Sequence, residues 1–161
     1  MPLDESRIVK LKELMIRIGY QFERIELLDE ALTHSSIKVE QPTKVSNERL
    51  EFFGDAVLGF IVTKYLLKNN HGSAQGDLTV KRAELVNNQH LEEVAIKMKL
   101  IEFMLKGHSI ENNAQSPKGI LSDALEALVG AIFIDGGECE AASFIKKFVI
   151  LLRNEYWTRR P

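Results

Sequence analysis

Apolar residues recur along most of this chain at intervals of three and four, the period of an amphipathic helix. Ile8, Leu11, Met15 and Ile18 form the first such stripe; Asp4 or Ser6 is placed to cap it and Gly19 to end it. A short helix is predicted over 24–32, with Ile25, Leu28 and Leu32 on its inner side. The polar stretch 35–46 contains Pro42 and predicts a loop. A long helix is expected over 47–68, opened by Ser46 or Asn47 and ended by Asn69, Asn70, His71, Gly72 and Ser73. Asp77 or Thr79 opens another, which reaches Val86 and breaks at Asn87 and Asn88. Leu91, Val94, Ala95 and Met98 make one more stripe. The segment 107–119, with Pro117, is a predicted loop. A very apolar helix follows over 120–134, stopped by Gly136 and Gly137, and a last helix over 140–156. No period-two alternation is long enough for a strand, and no repeat or linker marks a second domain. The expectation is an all-α fold of about seven or eight helices in a single domain over 1–161.

Two of these helices carry acids that an apolar pattern does not explain. In NERLEFFGDAVLGFIVTKYLLK the only charges between Leu50 and Leu67 are Glu51, Asp55 and Lys64. Such a helix is apolar on most sides and is expected to be largely buried. Glu48, Glu51 and Asp55 fall within about 60° of one another at 100° per residue. In GILSDALEALVGAIFIDGG, Asp123 and Glu126 are the only charges over 120–134, and their spacing of three shares one face. Like charges so placed repel, and burial adds a desolvation cost. A solvated acidic face is the ordinary outcome for one such set. Two sets in two oily helices point instead to a shared divalent cation. An all-carboxylate set, without the ExxH of di-iron bundles or the HExxH of zinc proteases, favours Mg²⁺ or Mn²⁺.

Composition narrows the setting. The 161 residues suffice for a core without staples, and 45% hydrophobic with 27% charged residues is an ordinary globular balance. A lone cysteine, Cys139, cannot form an intramolecular disulfide, which fits a reducing compartment. No apolar run reaches the length of a membrane span, and MPLDESRIVK lacks the apolar core of a signal peptide. A cytoplasmic location is the expectation. The net charge of −2 argues against strong nonspecific nucleic-acid binding by this chain alone, while leaving room for a local basic surface.

The string NERLEFFGDAVL (47–58) closely resembles the signature of the ribonuclease III family. ALTHSS (31–36), GDLTVKRAELVN (76–87) and LSDALEALVGAIF (121–133) agree with further family segments in order and spacing, so that the resemblance runs over about 8–148. It implies the ribonuclease III endonuclease-domain fold, a homodimer, and metal-dependent cleavage of double-stranded RNA. Carried onto this sequence, it implies that Glu51, Asp55, Asp123 and Glu126 bind the catalytic metal, Mg²⁺ with Mn²⁺ as substitute, and that Glu48 supports them. It further implies that Asn47 orders the helix start and that Phe52 packs into a hollow on the partner subunit. Phe53 would then be core. One departure concerns Gln75, where the family commonly has an acid reaching toward the partner's site; the lost charge bears on a second metal. Another is the end at Pro161: bacterial members usually carry a double-stranded-RNA-binding domain after the nuclease domain, and none lies in this chain.

The resemblance implies products with 5′-phosphate and 3′-hydroxyl ends and a short 3′ overhang, two sites on a two-fold axis setting the stagger. Duplex RNA is read by shape and 2′-hydroxyls. Candidate contacts are Lys44, Lys81, Arg82, Lys106, His108 and Lys118, although a solvated surface charge is the more ordinary reading of each. No organic cofactor and no membrane are expected. His34 is expected to be a buried histidine bonded to nearby backbone, Cys139 to be inert packing, and His90 with Glu93 to match no known spacing. Trp157, Arg159 and Arg160 are either RNA contacts or a frayed end. Two other readings compete: a relative that kept the fold and lost catalysis, which should lack a metal carboxylate, and an unrelated helical phosphohydrolase, which should offer histidine ligands.

Overall fold

The structure, a computed structural model, describes residues 3–111 and 119–151. Its α-helices are α1 (Glu5–Ile18), α2 (Ile25–Ala31), α3 (Glu48–Asn69), α4 (Gln75–Val86), α5 (Asn88–Lys97), α6 (His108–Glu111) and α7 (Ile120–Ile145). Short 3-10 turns lie at Ser35–Val39 and Leu100–Phe103, and a π turn at Lys146–Ile150 follows α7. Among the described residues the only strand-like pairing is a single bridge between Thr33 and Leu105. The all-α expectation therefore holds. None of the described helices is long and apolar enough to cross a membrane.

Local chemistry explains most boundaries. Asp4 caps α1 by accepting from the Arg7 amide, and Gly19, in the left-handed region at φ 76°, ends it. Asn87 caps α5 through the His90 amide. The predicted loop 35–46 is less irregular than expected, because the His34 ring caps the 3-10 turn by accepting from the Ser36 amide. The predicted loop 107–119 likewise holds the one-turn helix α6, while its remainder, with Pro117, lies outside the described residues. Gly136 and Gly137 redirect the chain rather than ending the helix. Gly137 alone leaves helical geometry, at φ 82° and ψ −172°, and helical residues resume at once. Cys139, expected in the packing, is exposed just beyond that break.

The core is built on α7. Residues 124–132 of α7 are buried, and α3 packs across them. The two helices approach closely because both are glycine at the crossing. A Cβ at Gly54 would overlap the Glu126 carbonyl, and one at Gly130 would crowd the Leu50 carbonyl oxygen. Leu58, Val62, Leu91, Leu125, Leu128 and Ile132 fill the surrounding interior. One expectation is corrected. Helix α3 is not buried on most sides: Phe52, 83% exposed, together with Phe60 and Leu67, forms an apolar face open to solvent. Phe53 turns inward and meets Phe133 edge-on, 5.6 Å between centroids.

Candidate metal centre

The glycine crossing sets the geometry of the acids. Gly54 lies between Glu51 and Asp55, and its missing side chain lets the α3 backbone rest against Glu126 on α7. Glu51 in the first turn of α3 then meets Asp123 in the first turn of α7 and Glu126 one turn on. One ligand atom from each of the three lies within 4.8 Å of the others. Among the described residues none of them forms an ion pair. Ser122 donates a long hydrogen bond of 3.4 Å to Asp123. Glu51 and Asp123 also sit in the first turns of their helices, where the helix dipole favours negative charge.

The acids disturb one another. Burial, then the charges of Asp55, Asp123 and Glu51, push the Glu126 carboxyl up to about 7. Burial first, then Asp123, Glu48 and Asp55, raises Glu51 above its ordinary value. Asp123 is raised by burial, against the opposing hydrogen bond from Ser122 and the nearby His34. Carboxylates sharing a site without a cation behave this way. The donors are oxygen atoms, the set is converging, and its charge is uncompensated by the described cations; it therefore fits a hard divalent ion.

The other predicted acids stand differently. Asp55 is exposed on α3, one turn beyond Glu51, and outside the 4.8 Å group, though its charge acts on both glutamates. Glu48 is held apart: Lys38 Nζ and Ser46 Oγ donate to its Oε2 at 2.6 and 2.7 Å. The Lys38 bond first, then Ser46, lowers its pKa. Asn47 does not cap α3 with its side chain. Its main chain does the anchoring, with its amide on the Thr33 carbonyl and its carbonyl accepting from Glu51. The Asn47 Nδ2 is buried without a partner.

The predicted basic contacts are scattered. Lys44 Nζ is 2.6 Å from Asp29 Oδ2, Lys81 donates to Asn70 at 2.6 Å, and Arg82 reaches Thr63 at 3.5 Å. Lys106 is half-buried near His34, and the exposed His108 donates its amide to Glu40. Lys118, Trp157, Arg159 and Arg160 lie outside the described residues. His90 is buried, its Nε2 2.8 Å from the Val149 carbonyl oxygen. Gln75 opens α4 and bonds Thr79 at 3.2 Å. With Thr63, Leu66, Leu67 and Leu78 it lines a hollow between α3 and α4. Sequence patterns did not single out Gly54, Gly130 or Lys38. A glycine inside a strongly helical pattern was the available signal for the first two.

Residues 24–152 match the Ribonuclease-III-like family model. The chain is 44% identical over 128 residues to ribonuclease 3 of Campylobacter concisus, covering 79% of this chain and 56% of that protein. Ribonuclease 3 of Bdellovibrio bacteriovorus is 41% identical over 148 residues, 90% of this chain and 61% of that one. The chain thus spans a little over half the length of the curated relatives it matches. Among solved structures, the nuclease domain of ribonuclease III from Campylobacter jejuni superposes with a TM-score of 0.79 at 39% identity, covering 88% of this chain and 94% of that one. A second structure of that domain, described for flexibility in a region involved in dimer formation, gives 0.80, with coverage of 86% and 95%. Giardia Dicer shares the fold, with a TM-score of 0.74 at 21% identity over 92% of this chain and 20% of that one.

Proposed function

The chain belongs to the ribonuclease III family, and from that premise we propose that it is a metal-dependent endonuclease unit that hydrolyses double-stranded RNA. The observation that carries the proposal is the meeting of Glu51, Asp123 and Glu126 from two oily helices, without a cation partner among the described residues. These three would hold the ion, with Asp55 adding charge from the next turn. Mg²⁺ suits the oxygen donors, and Mn²⁺ should substitute. When bound, the ion supplies Lewis acidity, polarising the scissile phosphate and making water nucleophilic at neutral pH. The rigid α3–α7 crossing fixes the carboxylates before substrate arrives, so little reorganisation is left to the reaction. Burial and its acidic neighbours raise Glu126 to about 7, so holding the ion would require this carboxyl to give up its proton. Glu48 shapes the outer electrostatics while Lys38 holds it.

The exposed face of Phe52, Phe60 and Leu67 supports pairing with a second copy, and the hollow between α3 and α4 is an apolar recess of the kind that Phe52 of another copy would need. Two sites related by a two-fold axis would cut both strands with a fixed stagger. We assign 5′-phosphate and 3′-hydroxyl products with a short 3′ overhang, and a cytoplasmic setting. The reading as a fold relative without catalysis is disfavoured by the intact carboxylate set.

The test is incubation of long duplex RNA with the protein in Mg²⁺ or in EDTA, with single-stranded RNA and duplex DNA as controls. Cleavage should require the metal and spare both controls. Loss of groups that merely orient a metal ligand typically costs about 10–100-fold, so Glu126→Gln should cost more than that while its circular dichroism stays that of the wild type. Cleavage in EDTA, or full activity of Glu126→Gln, would overturn the assignment.

A further inference from the structure

His34 is fixed more tightly than a loop histidine needs to be. Its amide donates to the Leu105 carbonyl at 2.9 Å, and its carbonyl accepts from Ile37 at 3.1 Å. The ring is locked as well. Nδ1 accepts from the Ser36 amide at 3.1 Å, and Ser36 Oγ lies 2.9 Å from the same nitrogen. That hydroxyl oxygen already accepts from the Gly107 amide at 2.9 Å, which leaves its own proton for Nδ1. A nitrogen that accepts from the Ser36 amide carries no proton, so the ring proton sits on Nε2.

Nε2–H has no partner among the described residues. His34 is only half-buried, and its charged neighbours are Asp123, Glu48 and Lys106. Burial first, and Lys106 with it, lowers the imidazole's pKa against the pull of the two acids. Neither acid uses the donor: Glu48 is satisfied by Lys38 and Ser46, and Asp123 converges on Glu51 and Glu126. A fixed Nε2–H donor near Asp123 has a specific chemical use. A phosphodiester entering an acidic valley needs N–H donors. A lysine there would instead pair with the carboxylates and compete with the metal.

We propose that His34 contacts the substrate, its Nε2–H donating to a non-bridging oxygen of the phosphate held beside Asp123. The inference rests on the nuclease reading above. His34→Asn separates this role from simple capping. Asparagine is a good cap, and its Oδ1 can still accept from the Ser36 amide, but it ends short of Nε2. His34→Gln places an amide N–H near the Nε2 position.

Cleavage of duplex RNA in Mg²⁺, Mn²⁺ affinity by water-proton relaxation, and Tm are measured on all three proteins. His34→Asn should keep Tm and Mn²⁺ affinity and lose about 10–100-fold in kcat/KM, and His34→Gln should regain part of it. Equal activity of His34→Asn and wild type reduces His34 to a cap and overturns the inference. So does a parallel loss of Mn²⁺ affinity. As a readout independent of variants at this position, the ¹⁵N resonance of His34 Nε2 in Glu126→Gln protein should shift on adding a short duplex RNA; an unmoved resonance in an RNA-bound sample also overturns it. Wild-type protein that neither binds nor cuts duplex RNA removes the nuclease reading and this inference with it, whereas active wild type with active His34→Asn removes this inference alone.

Discussion

Asp29 and Glu126 are both buried carboxylates, 4% and 8% exposed, and their surroundings are opposite. Asp29 has a cation on each oxygen: Arg7 Nε at 2.7 Å and Lys44 Nζ at 2.6 Å. Arg7 is itself buried and donates a second bond to the Phe103 carbonyl, tying α1 to α2 and to the 3-10 turn before α6. Glu126 has other acids for neighbours instead. One region spends its charges on holding the fold. The other lacks that compensation, a cost that an ion bound there, as proposed, would remove. The contrast separates a structural ion pair from a binding site by charge balance rather than by depth of burial.

Breaking the balanced side should give the largest effect on stability. Asp29→Ala leaves the buried Arg7 guanidinium without its carboxylate, and removing one partner of a buried pair costs about 3–5 kcal/mol. Arg7 Nη2 has no partner even in the native protein, so little is available to take over. The urea midpoint should fall steeply, and Tm by about 10 °C or more. A change below about 1 kcal/mol would place this pair with ordinary surface bridges. Lys44 was a candidate RNA contact from sequence; this variant also frees it, so any gain in RNA affinity would show how far Asp29 restrains it.

Acting on the unbalanced side should reverse the sign. Glu126 titrates at its ordinary 4.5 in the unfolded chain and at about 7 in the folded one. Between those values the folded state binds more protons, so stability falls as pH rises through the window and stays low above it. At pH 8 in EDTA the penalty is roughly 2–3 kcal/mol. Glu126→Gln, the variant expected to lose activity, should therefore raise Tm there by about 4–8 °C and bring no gain at pH 4. Mg²⁺ should close the difference by stabilising wild type more than the variant. Scanning calorimetry at pH 4, 6 and 8, with and without the ion, checks this; a wild-type Tm that rises with pH in EDTA would contradict it.

The unbalanced side was the legible one. Acids inside apolar helices violate the helical pattern, and a violated local rule marks function without knowledge of the fold. Helix α3 and the acids of α7 were readable for that reason. The balanced side was silent, because Arg7 and Asp29 are 22 residues apart and look like ordinary surface charges until packing buries them. The exposure of Phe52 was invisible to a burial argument, since hydrophobicity does not say whether the core or another copy covers it. The close α3–α7 approach hid for a different reason. Gly54 and Gly130 read as weak helix formers, whereas they are what lets Glu51, Asp123 and Glu126 share one site.

Glu48 tests where the boundary lies. By sequence it belongs with the metal acids; by structure it has a cation, as Asp29 does, but at the surface. Lys38→Met should therefore cost little, about 0.2–1 kcal/mol, and less again in high salt. Its pH dependence is opposite to that of Glu126. A carboxyl with a lowered folded-state pKa stabilises above its unfolded value, and that contribution fades as pH falls through the folded one. The difference between wild type and Lys38→Met should thus be present at pH 7 and fade as the medium is made acid, by urea denaturation in EDTA. Removing the Lys38 charge also leaves the Glu48 charge near Glu51 uncompensated, so Mn²⁺ affinity should rise slightly in the variant. If instead Lys38→Met destabilised as much as Asp29→Ala, the Lys38–Glu48 pair would be a second anchor of the fold, and charge balance rather than burial would set its worth.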